Sequence, residues 1–139
     1  MHQCQTSFTI ATHGQGLYEF TRDIIAWVGS SDIETGLLTL FCKHTSASLT
    51  IQENADPDVQ LDLNDFFARL VPEHMNWLRH TMEGPDDMPA HIKSALTDVS
   101  LTIPVNNGRP TLGTWQGVYL FEHRKAPHQR SVVAHLFGQ

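Results

Sequence analysis

A short polar segment between two apolar runs is the feature that most constrains how this chain folds. Residues 43–58 carry one histidine, four hydroxyl side chains, two amides and three carboxylates. The run before it, from Gly36 to Lys43, is typical of a buried strand, and the run after it, from Asp56 to Leu70, is typical of a helix. Because polar groups between two core elements are costly to bury without partners, the segment indicates a binding site for an anion and a metal.

The remaining pattern combines many strands with two or three helices. Helices are predicted over residues 21–28, with Thr21 as the cap, and over 56–70 and 90–96. Strand patterns occupy 7–10, 36–43, 48–54, 100–105, 111–114, 117–123 and 131–137. The run Asn106-Asn107-Gly108-Arg109 predicts a tight hairpin turn. The expected fold class is therefore α+β, with a mostly antiparallel sheet in a single domain over residues 1–139.

Composition limits the classes of partner. The formal net charge is −6, which disfavours binding to free nucleic acid because such proteins usually carry a basic face. No segment has the length and hydrophobicity of a membrane span, and the N-terminus lacks the pattern of a signal peptide. We therefore expect a soluble, cytoplasmic protein without a nucleic-acid or membrane partner. The nine histidines supply possible metal ligands.

Two further polar clusters lie outside the first segment. In the second cluster, His80 and His91 flank a Gly84-Pro85 turn and three carboxylates, which are Glu83, Asp86 and Asp87. Histidine with carboxylate binds zinc and also harder divalent ions. The spacing matches no standard metal motif, and a polar surface loop is the alternative interpretation.

The third cluster covers residues 112–124. Its run from Gly113 to Gly117 lets the backbone approach a ligand closely. Gln116 and Glu122 fall on one face of the predicted strand, and Trp115 forms either the floor of a pocket or part of the core. Arg130, which follows a loop, either pairs with a phosphate or lies on the surface.

Four motifs resemble those of a known family. They are His44–Ile51, Asn54–Pro57, Glu83–His91 and Leu112–Gly117, and they are similar to the motifs of the YjbQ family, known as secondary thiamine-phosphate synthases. The resemblance spans nearly the whole chain. It implies a small α+β domain with a half-barrel-like sheet, assembled as a homotrimer with sites near the subunit contacts. It also implies a weak reaction that joins a pyrimidine methyl diphosphate to a thiazole phosphate and expels diphosphate.

These residues suggest a site for a divalent metal, either zinc or magnesium or manganese, and a phosphorylated small molecule. The candidate metal ligands are His44, His80 and His91, and Glu83 is a possible oxygen ligand. The candidate catalytic residues are His44, Glu83, His91 and Glu122. One phosphate is assigned to Thr45, Ser46 and Ser48, and a second to Thr114 and Arg130. Asn54 and Gln116 are assigned to ring nitrogens or to the pyrimidine amino group, and Trp115 to an apolar wall.

The same residues leave two other functions open. One is a metal-dependent hydrolase of a phosphoester or an amide, with Glu83 or Glu122 as the general base. The other is a non-catalytic trimer that binds a metabolite or a partner protein. Turnover of one substrate without the thiazole partner favours the hydrolase, and ligand binding without turnover favours the binding protein.

Overall fold

The chain forms eight strands and three helices in a computed structural model that describes residues 1–139. The strands are β1 (His2–Thr12), β2 (Gly16–Glu19), β3 (Gly36–Cys42), β4 (Ala47–Glu53), β5 (Ser100–Asn106), β6 (Arg109–Pro110), β7 (Gln116–Glu122) and β8 (His128–Gly138). The helices are α1 (Thr21–Ser30), α2 (Pro57–Leu70) and α3 (Asp87–Leu96). The predicted α+β class is confirmed, with three helices.

The strands form two antiparallel groups that together make a curled half-barrel. The larger sheet has the order β1-β8-β3-β5-β6, and the smaller one has the order β2-β7-β4. Alternate residues of β3 and β8 point into the middle of the core: Leu38, Leu40, Cys42, Val132, Ala134 and Leu136, all at most 1% exposed. The alternation predicted for β3 is therefore confirmed.

Two local predictions, a helix cap and a hairpin turn, are confirmed. Asp56 is the N-cap of α2, and its carboxylate accepts a hydrogen bond from the backbone N–H of Asp58 at 2.9 Å. The hairpin between β5 and β6 places Asn107 and Gly108 at φ of 51° and 69°, the positive values that such a turn requires. The cap and the turn both follow from residue types that prefer a narrow range of backbone conformations.

Three local predictions are wrong. Helix α1 begins at Thr21 without a side-chain cap, because the Thr21 hydroxyl donates instead to Glu19 and accepts from the backbone of Val118. Helix α3 begins at Asp87, three residues earlier than predicted, since Pro89 fits the first turn of a helix. Residues 111–114 form no strand.

Helix α2 lies at the outside of the domain. None of its residues is buried, although Phe67 packs edge-on against Phe121 of β7, with ring centroids 5.2 Å apart. Its position matters because α2 and α3 enclose the end of β7 from two sides. In no helix of the chain is there a stretch long and apolar enough to cross a membrane.

Candidate metal centre

Three side chains converge on one point beside the first turn of α3. Nε2 of His80 lies 2.7 Å from Oδ2 of Asp87, and Nε2 of His91 lies 3.2 Å from the same oxygen. The three atoms lie within 4.8 Å of one another. Asp87 and His91 are one turn apart in α3, and His80 comes from the preceding loop. We call these three residues the His–Asp cluster.

Arg124 holds the carboxylate of Asp87 from its other side. Nη1 of Arg124 donates to Oδ1 of Asp87 at 2.7 Å, and Nε donates to Oδ2 of Asp86 at 2.9 Å. Burial alone raises the pKa of Asp87, but the hydrogen bond from His80 and the charges of His91 and Arg124 outweigh it, and the pKa is lowered. Asp87 is therefore ionised, with one oxygen fixed by Arg124 and the other turned to the two histidines.

A backbone carbonyl sets the proton on His91. Nδ1 of His91 lies 2.8 Å from the carbonyl oxygen of Thr45, and a carbonyl can only accept, so Nδ1 carries a hydrogen. In the neutral ring, Nε2 then presents a lone pair to a carboxylate oxygen of Asp87. Two acceptors that face each other repel, so a proton or a cation is needed between them.

The donor set of the cluster fits a divalent cation. Two imidazole nitrogens and one carboxylate oxygen are suitable ligands for zinc and for manganese-like ions. Oδ2 of Asp87 lies 2.7 Å from Nε2 of His80 and 3.2 Å from Nε2 of His91. These separations are those of neighbouring ligand atoms around a single ion with metal–ligand bonds of about 2.1 Å. The side chain of His80 is 49% exposed, so solvent or a substrate can reach the point where the donors meet.

Cavities lie on both sides of the cluster. One, of about 270 Å³, is lined by His80 together with Leu78, Thr81 and Met88. The other, of about 300 Å³, is lined by His91 together with His44, Thr45 and Ser94. The first two polar clusters of the sequence are therefore neighbours in the fold, and both border space for a small molecule.

His44 shares this second cavity but is not a member of the His–Asp cluster. Its Nε2 accepts a hydrogen bond from the backbone N–H of Ser131 at 2.8 Å, which occupies the lone pair that a metal would need. Burial and the charge of Arg130 lower the pKa of His44, so the ring is neutral and its Nδ1 carries a hydrogen. His44 is therefore arranged as a hydrogen-bond donor rather than as a metal ligand.

The two glutamates predicted as catalytic groups lie in different surroundings. Glu83 is exposed and outside the cluster, although its backbone carbonyl accepts from Arg124. Glu122 is fully buried, and both of its oxygens accept hydrogen bonds from Arg130. Burial raises the pKa of Glu122, but the hydrogen bonds from Arg130 and Thr12 outweigh that effect and lower it. Glu122 is an internal counter-ion, and neither glutamate reaches the cluster.

The predicted phosphate ligands are mostly internal. Arg130 is 4% exposed and also donates to the hydroxyl of Ser46 at 3.0 Å, so its guanidinium is occupied within the protein. Ser48 is 1% exposed, and its hydroxyl contacts the ring of His123 at 2.8 Å. Among the three hydroxyl residues predicted to hold a phosphate in the first cluster, only Thr45 is exposed.

The first part of the third cluster, residues 112–116, lies at the other end of β4 and β7. Asn54 donates from its backbone to the carbonyl of Trp115, and Glu53 pairs with Gln116, whereas Ala47 pairs with Glu122. The seven residues of β4 separate these two ends by about 20 Å. Thr114, Trp115 and Gln116 are all exposed there, with Trp115 at 62%. Within one chain, Thr114, Trp115 and Gln116 do not join the other two clusters, whereas Arg124, at the end of the third cluster, contacts Asp86 and Asp87 of the second.

Comparison with known proteins identifies the family. The family described as "UPF0047 protein YjbQ-like" matches residues 6–139 of the chain.

The chain belongs to the YjbQ family.

Relatives match along nearly the whole chain. A UPF0047 protein of Synechocystis is 58% identical over 99% of this chain and 93% of its own length. The UPF0047 protein YjbQ of Escherichia coli O157:H7 is 43% identical, over 97% and 98%. A conserved hypothetical protein of Thermus thermophilus has the same fold, with a TM-score of 0.85 and 39% identity over 95% and 99% of the two chains. A YbjQ-like protein from Sulfolobus solfataricus, described as of unknown function, shares the fold at a TM-score of 0.86 and 20% identity.

Sequence reasoning missed two residues of the site in this YjbQ chain, one inside a motif and one outside all four. Asp87 was part of the second cluster but not a predicted ligand, because its helix was expected to begin at Ala90. A helix beginning at Asp87 puts it one turn before His91, which is a recognisable ligand spacing. Arg124 carried no such signal, since its partners Asp86 and Asp87 are 38 and 37 positions away in the sequence.

Proposed function

We propose that this YjbQ-family protein is a metal-dependent enzyme of phosphorylated small molecules, with a weak thiamine-phosphate synthase activity. The observation that carries the proposal is the His–Asp cluster between two cavities. His80, Asp87 and His91 would supply three ligand atoms to one divalent ion, which would act there as a Lewis acid. The reaction and the substrate class are those implied by the resemblance of the motifs to the YjbQ family.

Each residue of the site has a separate proposed role. His80, Asp87 and His91 hold a divalent cation, zinc or magnesium or manganese, and Arg124 keeps Asp87 ionised and oriented. When bound, the cation neutralises the negative charge that develops on the departing diphosphate. His44 and Thr45 border the cavity on the His91 side, where Nδ1–H of His44 and the hydroxyl of Thr45 are available to donate to a substrate oxygen.

A homotrimer would bring Thr114, Trp115 and Gln116 of the third cluster into a shared site. Thr114, Trp115 and Gln116 lie about 20 Å from the His–Asp cluster along β4, so a neighbouring subunit has to bring them to a shared site. The larger sheet offers a surface for such assembly. Leu37, Phe41 and Phe137 on its outer face are each between 45% and 48% exposed, and Leu37 pairs directly with Phe137.

The test combines metal content with turnover. Untagged wild type and His80→Ala are analysed for bound metal and then assayed with the pyrimidine methyl diphosphate and the thiazole phosphate. We expect close to one ion per chain in the wild type, and loss of both the ion and the thiamine phosphate product in His80→Ala. His2→Ala is the matched control, because His2 is an exposed histidine without a hydrogen-bonding partner.

The other outcomes separate the alternatives. A wild type that binds no metal after reloading contradicts the metal-dependent function. Consumption of the diphosphate substrate at the same rate without the thiazole phosphate indicates a hydrolase. Substrate binding without any turnover, in a metal-loaded protein, indicates a binding protein.

A further inference from the structure

A third cavity lies on the side of α3 away from the His–Asp cluster. It has a volume of about 190 Å³ and is enclosed by α2, α3 and the end of β7. Lys93 and His123 line it, together with Gln15, Asn64 and Asp65. Because successive residues of a helix are about 100° apart, Lys93 points to nearly the opposite side of α3 from His91. The metal-dependent function described above does not use this cavity.

Lys93 is a buried cation without a partner in the protein. It is 6% exposed, and its Nζ forms neither a hydrogen bond nor an ion pair, although the charges of Glu73 and Asp86 act on it from a distance. Lys125, by contrast, is paired with Glu73 at the surface. Every side-chain nitrogen or oxygen that is sealed from solvent in this chain has a hydrogen-bond partner. Nζ of Lys93 has none, so it is not sealed from solvent, and Lys93 lines this cavity.

A chain of three hydrogen bonds fixes the proton on His123. It begins at the backbone carbonyl of Lys93, which lies 2.8 Å from the hydroxyl of Thr97. That hydroxyl lies 2.6 Å from the hydroxyl of Ser48, which in turn lies 2.8 Å from Nε2 of His123. Because the carbonyl can only accept, the Thr97 hydroxyl donates its single hydrogen to it. Ser48 must then donate to Thr97, and Nε2 of His123 must donate to Ser48.

His123 is therefore left with a lone pair on Nδ1. This atom has no hydrogen-bond partner in the protein, and the side chain is 1% exposed. By the same reasoning as for Lys93, Nδ1 is not sealed from solvent, and His123 lines the cavity. The cavity thus presents a cationic donor beside an uncharged acceptor. Two carboxylates line the cavity: Glu122, which is buried and neutralised by Arg130, and Asp65, which is exposed to solvent.

We propose that this cavity binds a hydrogen phosphate group, either free or at the end of a small monoester. Lys93 donates to an anionic oxygen of the group, and Nδ1 of His123 accepts from its remaining hydroxyl. An oxyanion without a hydroxyl leaves the lone pair of Nδ1 facing a negative oxygen, which is repulsive. The pair of residues therefore selects hydrogen phosphate over sulfate, although the two ions have the same shape.

The first experiment compares these two anions. Binding of inorganic phosphate and of sulfate to the full-length chain is measured by calorimetry at pH 7, where phosphate keeps a hydroxyl and sulfate has none. Saturable phosphate binding is expected, with sulfate at least about tenfold weaker, because one buried hydrogen bond is replaced by a repulsive contact. Equal affinity for both anions, or no saturable phosphate binding, overturns the proposal. Methyl phosphate at pH 5.5 then tests whether the space also accepts a monoester.

Variants locate the binding. Lys93→Met should weaken phosphate binding about tenfold or more, since it removes the only charged donor in the cavity. Lys125→Met is the matched control, because it removes the same charge from an exposed, adjacent site and should bind phosphate as the wild type does. The series is repeated in the His80→Ala background, so that phosphate attached to an ion at the His–Asp cluster is not counted. Undiminished binding in Lys93→Met contradicts the assignment.

A measurement on the wild type does not depend on how well the variants fold. Nitrogen-15 spectra of the imidazole rings should show His123 with its hydrogen on Nε2. Saturating phosphate should move the Nδ1 resonance of His123 and leave that of His2 in place. A hydrogen on Nδ1 in the free protein, or an Nδ1 resonance that does not respond to bound phosphate, rules the site out.

Discussion

Oδ2 of Asp87 and Nε2 of His91 lie 3.2 Å apart, one turn of α3 from each other, although each is arranged to accept a hydrogen bond. The carbonyl of Thr45 and the guanidinium of Arg124 fix this arrangement from outside. Groups that orient metal ligands in this way contribute to affinity without touching the ion. The His–Asp cluster is thus built by four elements of the fold rather than by the α3 sequence alone.

Arg124→Gln should lower the affinity of the cluster for a divalent ion by about 10- to 100-fold while leaving all three ligands in place. The reason is that Asp87 loses the donor to Oδ1 that aims Oδ2 at the histidines. Competition with a chromophoric chelator measures the affinity. Arg109→Gln, at the exposed hairpin between β5 and β6, is the control. An unchanged affinity in Arg124→Gln would show that Arg124 does not orient the ligand.

Glu122→Gln should lower the free energy of unfolding by about 3–5 kcal/mol, because it leaves the buried charge of Arg130 without its counter-ion. The pKa of Glu122 is lowered in the folded state, so its stabilising effect is present above the unfolded value of about 4.3 and is lost as the pH falls below it. Urea unfolding at pH 7 and pH 3.5 measures both effects. Glu34→Gln, an exposed substitution, should change neither, and an equal loss in both variants would argue against the buried pair.

His123 should remain neutral in the folded protein well below the pH at which histidines usually titrate. Burial and the charge of Lys93 lower its pKa to about 3, while the unfolded chain takes up a proton near pH 6.5. Folding stability therefore decreases as the pH falls below about 6.5, by about 1.4 kcal/mol per pH unit from this residue. The slope between pH 6 and 5 should be smaller by that amount in His123→Gln and unchanged in His2→Gln. A charged His123 ring at pH 5 in the wild type contradicts this account.

The sequence is informative where a residue acts through its own backbone or through near neighbours. The alternation in β3, the cap at Asp56 and the turn at Asn107 were all predicted, because each depends on local preference. Two of the three residues of the His–Asp cluster, His80 and His91, were identified as candidate ligands from their residue type. To predict that they lie together, the correct start of α3 was needed. Asp86, Asp87 and Pro89 place that start three residues earlier than the apolar pattern indicated.

The roles of polar residues in β7 and β8 could not be read from the sequence. Glu122 and Arg130 look like surface or catalytic groups, yet the antiparallel pairing of the strands buries them against each other. Likewise, Ser48 looks like an anion ligand until Thr97 and His123 are placed beside it. Such assignments depend on contacts between residues that are 8 to 75 positions apart. Local patterns carry no information about partners at these separations.

The outer face of the larger sheet supports a prediction about assembly. Phe137 of β8 and Leu37 of β3 are direct partners across the strands and are both about half exposed, and Phe41 lies farther along the same face. If this face joins the subunits of a homotrimer, Phe137→Asp places a charge in an apolar contact and should yield monomers. Analytical ultracentrifugation of the purified protein measures the mass.

Phe66→Asp provides the matched control for the assembly experiment. Phe66 on α2 is 56% exposed, more than the 45% of Phe137, but it lies on a helix outside the larger sheet. We expect this variant to keep the mass of the wild type. Thiamine phosphate formation should fall in Phe137→Asp if Thr114 to Gln116 of a neighbour complete the site, and metal binding should persist because His80, Asp87 and His91 belong to one chain. A trimeric Phe137→Asp, or an active monomer, would place the subunit contact or the complete site elsewhere.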